Sequence, residues 1–452
     1  MKLTEVLSLV KDTQELVIGS GVINTCSEYI YKYWPECSPM IVADTNTWKA
    51  AGQQIKRELS ESGLNIAEPL IFETPPYLHA DYRNVEIILE KAETASNPVL
   101  IAVGSGTVND LVKRAAFELN SSYLTVGTAA SMDGYCSSGA ALSRNGRKQT
   151  MECGAPKVII ADTDILVTAP PEASAAGYGD LASKLTAGAD WLIADFTGDD
   201  PIEEKVWDII QPNLDGWLSN PEKTAEGDPQ SLSAIFEGLN FSGLAMQALG
   251  LSRAASKASR AASGAEHMFS HIWEMSGHLG SDGNPVSHGF QVSVGILCVC
   301  ALMDEVFDMD ADEIDIEAAL EAYPDWETRA AEVEEQMGNL PSWEEYIDIC
   351  REKHLTKDEL RAKLVKVKAD WNELRDNVKN RLPSYSKTYR MLKTAGCPVK
   401  PEDINLKRET AISTYKKAQC MRNRYTILDL AYELGVLSKC IQSIEDSSQY
   451  LN

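Results

Sequence analysis

Four of the chain's six histidines, His267, His271, His278 and His288, fall within one stretch, SGAEHMFSHIWEMSGHLGSDGNPVSHGFQ. His267 and His271 are four residues apart, which on a helix stacks both imidazoles on one face a turn apart. Gly277, Gly280, Gly283 and Pro285 then break the periodicity. A loop there can carry His288-Gly289 back over the same face. Two nitrogen donors from separate segments can grip a metal ion or a substrate. Asp180 and Lys184 share a face of a long helix expected from Ala173 to Phe196. Spacing alone leaves them as a surface ion pair, worth about 0.3 kcal/mol, or gives Asp180 an oxygen-ligand position beside the histidines.

A second group of residues suits a ligand through its smallness. Gly104-Ser105-Gly106-Thr107-Val108-Asn109-Asp110 follows the apolar run Pro98 to Val103 and precedes a helix expected from Leu111. Small residues at such a turn let backbone N–H groups approach a pyrophosphate at a helix N-terminus, although an ordinary tight turn looks the same. The run from Gly127 to Gly139 follows another β-rich segment and suits a loop lining a ligand crevice, with Asp133 and Ser137 within reach of bound groups. Asp44 closes an earlier strand. It is placed either to bind a ribose hydroxyl or to cap the next helix.

These residues need a frame, and the chain supplies a β/α alternation. Strands are expected at Met40 to Ala43, Pro69 to Phe72, Pro98 to Val103, Tyr123 to Val126 and Lys157 to Ala161, with helices at Trp48 to Ser62 and Asn84 to Thr94. That is the pattern of a parallel sheet covered by helices. After Pro170-Pro171 the chain reads as helices, acidic from Asp308 to Glu335 and of mixed charge afterwards. The expected organisation is an α/β Rossmann-like nucleotide-binding domain over 1–168 and an all-α metal- and substrate-binding domain over 169–452.

Composition excludes several partners. A net charge of -25 argues against general nucleic-acid binding and against docking on anionic membranes. An anionic substrate therefore needs a local cationic cluster. Lys184, Arg253, Lys257 and Arg260 are the candidates, the last three recurring at helical spacing just ahead of the histidines, although such a row also suits a solvated face. The ten cysteines show no CxxC spacing and read as reduced core thiols. The N-terminus lacks a signal peptide's apolar block, and no uninterrupted apolar stretch reaches about eighteen residues. The cytoplasm is the expected location.

Taken in order, GSGTVND, GTAASMDGYCSS, PKVIIADTDIL, GYGDLASKLTAGADW, SGAEHMFSHIWE and SHGFQVSVG resemble the motifs of the sn-glycerol-1-phosphate dehydrogenase family, including its bacterial AraM-like branch. The likeness spans roughly residues 40 to 295, and MRNRYTIL at 421–428 extends it. The 308–400 segment holds no motif of the family. That family belongs with glycerol dehydrogenases, iron-dependent alcohol dehydrogenases and 3-dehydroquinate synthases, whose shared fold the resemblance implies here.

Carried over motif by motif, the resemblance implies Asp180, His267 and His288 as metal ligands, with Zn²⁺, Ni²⁺ or Fe²⁺ suited to that set. It makes His271 and Asp133 substrate contacts, with Asp180 touching substrate as well, and His271 able to help relay a proton. Gly104, Ser105, Gly106, Thr107, Thr128, Ser131 and Ser137 become dinucleotide contacts, with Asp110 in the same turn and Asp44 favouring NAD(H) over NADP(H). The implied reaction is reversible reduction of dihydroxyacetone phosphate to sn-glycerol 1-phosphate by a homo-oligomer. Polyol dehydrogenase and dehydroquinate synthase-like lyase chemistry are the alternatives on the same sites. A non-catalytic binding protein would have no need of an intact Asp/His/His set. His278 and His354 are expected to be structural or surface residues.

Overall fold

The computed structural model describes residues 1–74, 77–144 and 147–452. Strands β1 (Glu15–Gly19), β2 (Ser38–Asp44), β3 (Leu70–Phe72), β4 (Pro98–Gly104), β5 (Leu124–Gly127) and β8 (Val158–Asp162) form one six-stranded sheet in the order β1-β8-β5-β4-β2-β3, every pairing parallel. The remaining two, β6 (Ala140–Arg144) and β7 (Arg147–Met151), form a separate antiparallel pair. Near-continuous apolar runs form the central strands because both faces of a parallel sheet are covered. Alternate residues go to opposite sides: Ile41, Ala43, Ile101 and Val103 pack into one core, and Met40, Val42, Leu100 and Ala102 into the other.

The chain runs from β2 outward to β3 and then back across β2 to β4, so strand order reverses between β2 and β4. Ligand crevices in such sheets form at the carboxyl ends of strands at that reversal. Asp44 and Gly104 sit there, one step beyond the Ala43–Val103 pair, and Gly104 in turn pairs with Gly127 of β5.

All five expected strands form. Two features were not anticipated, β1 and the β6–β7 hairpin, although Asn145-Gly146 between alternating residues is a strong hairpin signal in the sequence. The helix after the glycine turn begins at Gly106, five residues before the expected Leu111. Gly and Thr are poor helix formers, but the end of β4 fixes where the helix must start. The region expected as one helix from Trp48 to Ser62 is a π-helical stretch, Trp48–Gly52, running into an α-helix, Gln53–Glu61.

The chain divides into two compact units, residues 1–181 with 208–258, and residues 182–207 with 259–452. Secondary structure changes character near residue 170, whereas the units are interleaved: the Pro171–Thr197 helix contributes to both, and the Pro229–Ser252 helix belongs with the sheet.

In the second unit the central element is the His288–Phe307 helix, packed against Ala265–Met275, Tyr385–Thr394 and Leu437–Asp446. By length and composition it could cross a membrane, but 83% of its most apolar window is buried inside the protein, so it serves as a core helix. The 308–400 segment is helical, as expected, with its longest helices at Trp326–Met337 and Lys357–Ala369.

Candidate functional site

The histidine stretch folds as the spacing implies. His267 and His271 lie on the Ala265–Met275 helix, and the loop after it brings His288 back as the first residue of the next helix. Ring centroids are 5.1 Å apart for His267 and His288, 6.2 Å for His267 and His271, and 6.0 Å for His271 and His288. Gly295 allows this approach: a Cβ there would stand 2.5 Å from the Glu266 carbonyl oxygen, so any larger residue would push the two helices apart. Behind the histidines, Phe269 packs edge-on against Tyr415 and the Trp273 indole N–H donates to Thr414 Oγ1 at 3.0 Å.

Two carboxylates orient these rings. Glu266, wholly buried, lies 2.8 Å from His267 Nδ1 and accepts from the Gly264 N–H at 2.6 Å and the Thr186 hydroxyl at 2.7 Å. Burial raises its pKa. Asp190, beside it, is pushed up to about 7 by burial and by the Glu266 charge, although it accepts the N–H groups of Ala265 and Ile427. Glu274 stands 3.7 Å from both His271 Nδ1 and His288 Nδ1. Desolvation is the main cause that lowers His271 to about 4, with Arg422 acting in the same direction, so its ring is neutral at physiological pH.

Asp180 is fully buried on the Pro171–Thr197 helix, not at the surface, and Lys184 is equally buried. That disposes of the surface ion pair, since neither side chain reaches water. One continuous helix carries Asp180 and, a turn and a half on, Thr186, whose hydroxyl bonds Glu266 beside His267. One donor atom each from Asp180, His267 and His288 lies within 4.8 Å of the others. An oxygen and two imidazole nitrogens at that spacing fit a divalent transition ion and leave further coordination positions for substrate.

Around the sheet's carboxyl edge, Asp180 Oδ2 accepts the Asp133 N–H at 2.9 Å, and Ser242 donates to Asp133 Oδ2 at 3.0 Å. Gly177 makes this packing possible, because a Cβ there would collide with the Ala130 carbonyl. Thr128 N–H donates to Gly104 O at 3.1 Å, so Gly104 to Thr107 and Thr128 lie on adjoining strand ends. The Ser137 hydroxyl turns back onto Gly134 O at 3.2 Å. Asp110 faces inward: one oxygen accepts from Lys113 at 3.2 Å and the other from the Ala141 N–H at 3.0 Å, so it anchors the turn. Asp44 caps its helix, accepting from Asn46 N–H at 2.7 Å and Thr47 N–H at 2.9 Å.

Three of the cationic candidates do not form a helical row. Arg253 ends the Pro229–Ser252 helix in an extended conformation, and Lys257 and Arg260 fall on separate short turns. Arg260 is buried and donates to Tyr425 O at 2.9 Å and Asp190 O at 2.7 Å, a structural role. His278 bonds Ile404 O at 2.7 Å and His354 stacks on Tyr323, so both are structural.

Sequence reasoning missed Glu266, Glu274, Arg422 and Lys113. Glu274 was within reach of it, at i+3 from His271 on the same face. Lys113, buried and bonded to Gly134 O at 2.8 Å and Gly139 O at 3.1 Å, clamps the Asp133 loop from a distance no spacing rule covers.

The fold defines the class. A family model described as iron-containing alcohol dehydrogenase matches residues 17–170. A probable glycerol dehydrogenase from Sinorhizobium meliloti 1021 has the same fold, with a TM-score of 0.58 at 15% identity, covering 95% of this chain and 96% of that one. Sequence relatives narrow it. A glycerol-1-phosphate dehydrogenase [NAD(P)+] from Halalkalibacterium halodurans is 32% identical over 293 residues, 64% of this chain and 71% of the relative. One of the same name from Bacillus velezensis is 28% identical over 427 residues, 94% and 92% of the two chains. The chain belongs to the glycerol-1-phosphate dehydrogenase family.

Proposed function

We propose that this oxidoreductase reduces dihydroxyacetone phosphate to sn-glycerol 1-phosphate, reversibly, with NAD(P)H as hydride donor. The observation that carries the reading is the Asp180, His267 and His288 set in a chain of this family. Asp180, His267 and His288 hold the metal. With His267 Nδ1 engaged by Glu266, the ligand bond from that ring falls to Nε2, and the carboxylate fixes its orientation. A bound divalent ion would polarise the substrate carbonyl as a Lewis acid.

His271 and Asp133 contact the substrate. The neutral His271 ring can accept at one nitrogen while donating at the other, which relays a proton without a stable imidazolium. Gly104 to Thr107, Thr128, Ser131 and Ser137 receive the dinucleotide. Asp44 disfavours a 2′-phosphate and so favours NADH. The ion is zinc, nickel or iron, and the enzyme works in the cytoplasm.

The test is NADH oxidation by metal-reconstituted enzyme with dihydroxyacetone phosphate and unphosphorylated dihydroxyacetone side by side. A strong preference for the phosphate ester is expected. Preference for the free ketone would move the protein to polyol oxidation, and silence with both at full metal content would overturn the reading.

A further inference from the structure

Two thiols meet in the part of the chain that carries no motif of the family. Cys350, on the Glu344–Glu352 helix, donates to the backbone carbonyl of Cys420, the last residue of the Arg408–Cys420 helix, at 3.5 Å. The Arg329 guanidinium is wedged against both, its Nη2 3.4 Å from Cys420 Sγ and 4.0 Å from Cys350 Sγ. Lys353 is held alongside, donating to Gln419 O at 2.6 Å and to Asp429 at 2.7 Å.

This setting favours a thiolate at Cys350. The neighbouring Cys420 side chain lowers its pKa first of all, with the Lys353 and Arg329 charges acting in the same direction against desolvation. Cys26, Cys136, Cys298 and Cys300, by contrast, are pushed up by burial. Cys350 also lines a small polar cavity, ≈ 20 Å³, with Arg329, Lys353 and His354. That is room for about one water-sized molecule. Larger disulfides such as glutathione disulfide are excluded.

We propose that Cys350 and Cys420 are a redox pair, in which a small peroxide oxidises Cys350 and Cys420 resolves it to an intramolecular disulfide. The Cys350 thiolate attacks one peroxide oxygen. The O–O bond breaks, hydroxide leaves, and Cys350 becomes a sulfenic acid. The Cys420 sulfur then attacks the Cys350 sulfur. The S–O bond breaks, and the departing hydroxide takes the Cys420 proton and leaves as water. Peroxide gains two electrons in all, and the two thiols lose them. Arg329 stabilises the anionic Cys350 sulfur in the first step. The bond would tie the Glu344–Glu352 helix to the end of the helix that leads into Arg422 and Arg424, and Arg424 donates to Ser263 O ahead of the histidine helix at 2.6 Å.

The experiment treats the holoenzyme with hydrogen peroxide, denatures it in an alkylating agent and maps cysteines by mass spectrometry. A Cys350–Cys420 cross-linked peptide is expected to form roughly tenfold faster than oxidation at any other cysteine, because the thiolate is the reacting form. In Cys420→Ala, treated with peroxide and then denatured in the presence of dimedone, Cys350 is trapped as its dimedone adduct. In Cys350→Ala, Cys420 stays reduced over the same time. Oxidation spread over other cysteines with Cys350 still reduced overturns the proposal, as does a Cys420→Ala protein that yields no adduct at Cys350. The wild-type map decides by itself if either variant fails to fold.

Discussion

The sheet's carboxyl edge and the histidine helix are built from opposite materials. At the sheet edge, Gly104 to Thr107 and Thr128 contribute backbone groups and small side chains, and the cores beneath are almost wholly apolar. At the histidine helix the chemistry lies in three side chains, backed by buried charge: Glu266, Asp190 and Arg260 sit within one network. A backbone site tolerates changes of side chain but not of volume. A site of buried charges tolerates neither, since removing one partner leaves another unpaired in a low-dielectric surround.

The largest effect should fall on the histidine side. Asp180→Ala and His267→Ala are each expected to strip the metal and lower turnover by roughly 1000-fold or more, because Lewis-acid polarisation supplies several kcal/mol of the barrier. Metal analysis alongside circular dichroism checks this. A variant that keeps both metal and rate removes Asp180 or His267 from the site.

Buried charge should also make the helical unit's stability depend on pH. Burial raises Glu433 to about 7, against the opposing pull of Lys363 and the Tyr425 hydroxyl. An unfolded glutamate titrates at about 4.3. Between the two values the folded state holds the extra proton, so this group's contribution is full below the unfolded pKa and is lost as pH rises to the folded one. The loss is at most ~4 kcal/mol. Glu433→Gln should therefore flatten the fall in Tm between about pH 5 and about pH 7. An unchanged slope would show that Glu433 is ionised throughout.

On the sheet side the effects should be smaller and steric. A Cβ at Gly104 would stand 2.6 Å from Val108 Cβ, so Gly104→Ala must shift the start of the Gly106–Glu118 helix. The expected cost is ~1–3 kcal/mol, read as about a tenfold rise in KM for the dinucleotide with metal content unchanged. Loss of metal instead would break the distinction between the two regions. Smallest of all, Asp44→Ala should remove an N-cap worth about 1 kcal/mol and shift preference toward NADPH. A lower Tm with no change in NADPH preference would leave Asp44 as a cap alone.

Much of this was legible in the sequence because it is local. Helical spacing put His267 and His271 on one face, glycines and a proline announced the loop to His288, and continuous apolar runs marked the central strands. Where spacing was asked to cover chain that does not stay in one element, it failed. Arg253, Lys257 and Arg260 read as one helical row, yet the helix ends at Ser252, leaving Arg253 as its extended cap and Lys257 and Arg260 on separate short turns. Lys184 read as half of a surface pair, yet it is wholly buried.

The sequence by itself determined the elements, the order of strands along the chain and which residue types are available for metal and dinucleotide, since periodicity and turn chemistry act over a few residues. Only the tertiary structure decided the sheet order that sets Asp44 beside Gly104, the Thr186–Glu266–His267 chain that orients an imidazole ring, the Lys113 clamp on the Asp133 loop, and the meeting of Cys350 with Cys420. Each of these joins residues far apart in the chain. Burial fixes such pairings by demanding a partner for every desolvated polar group, and no local pattern records which partner the fold will bring.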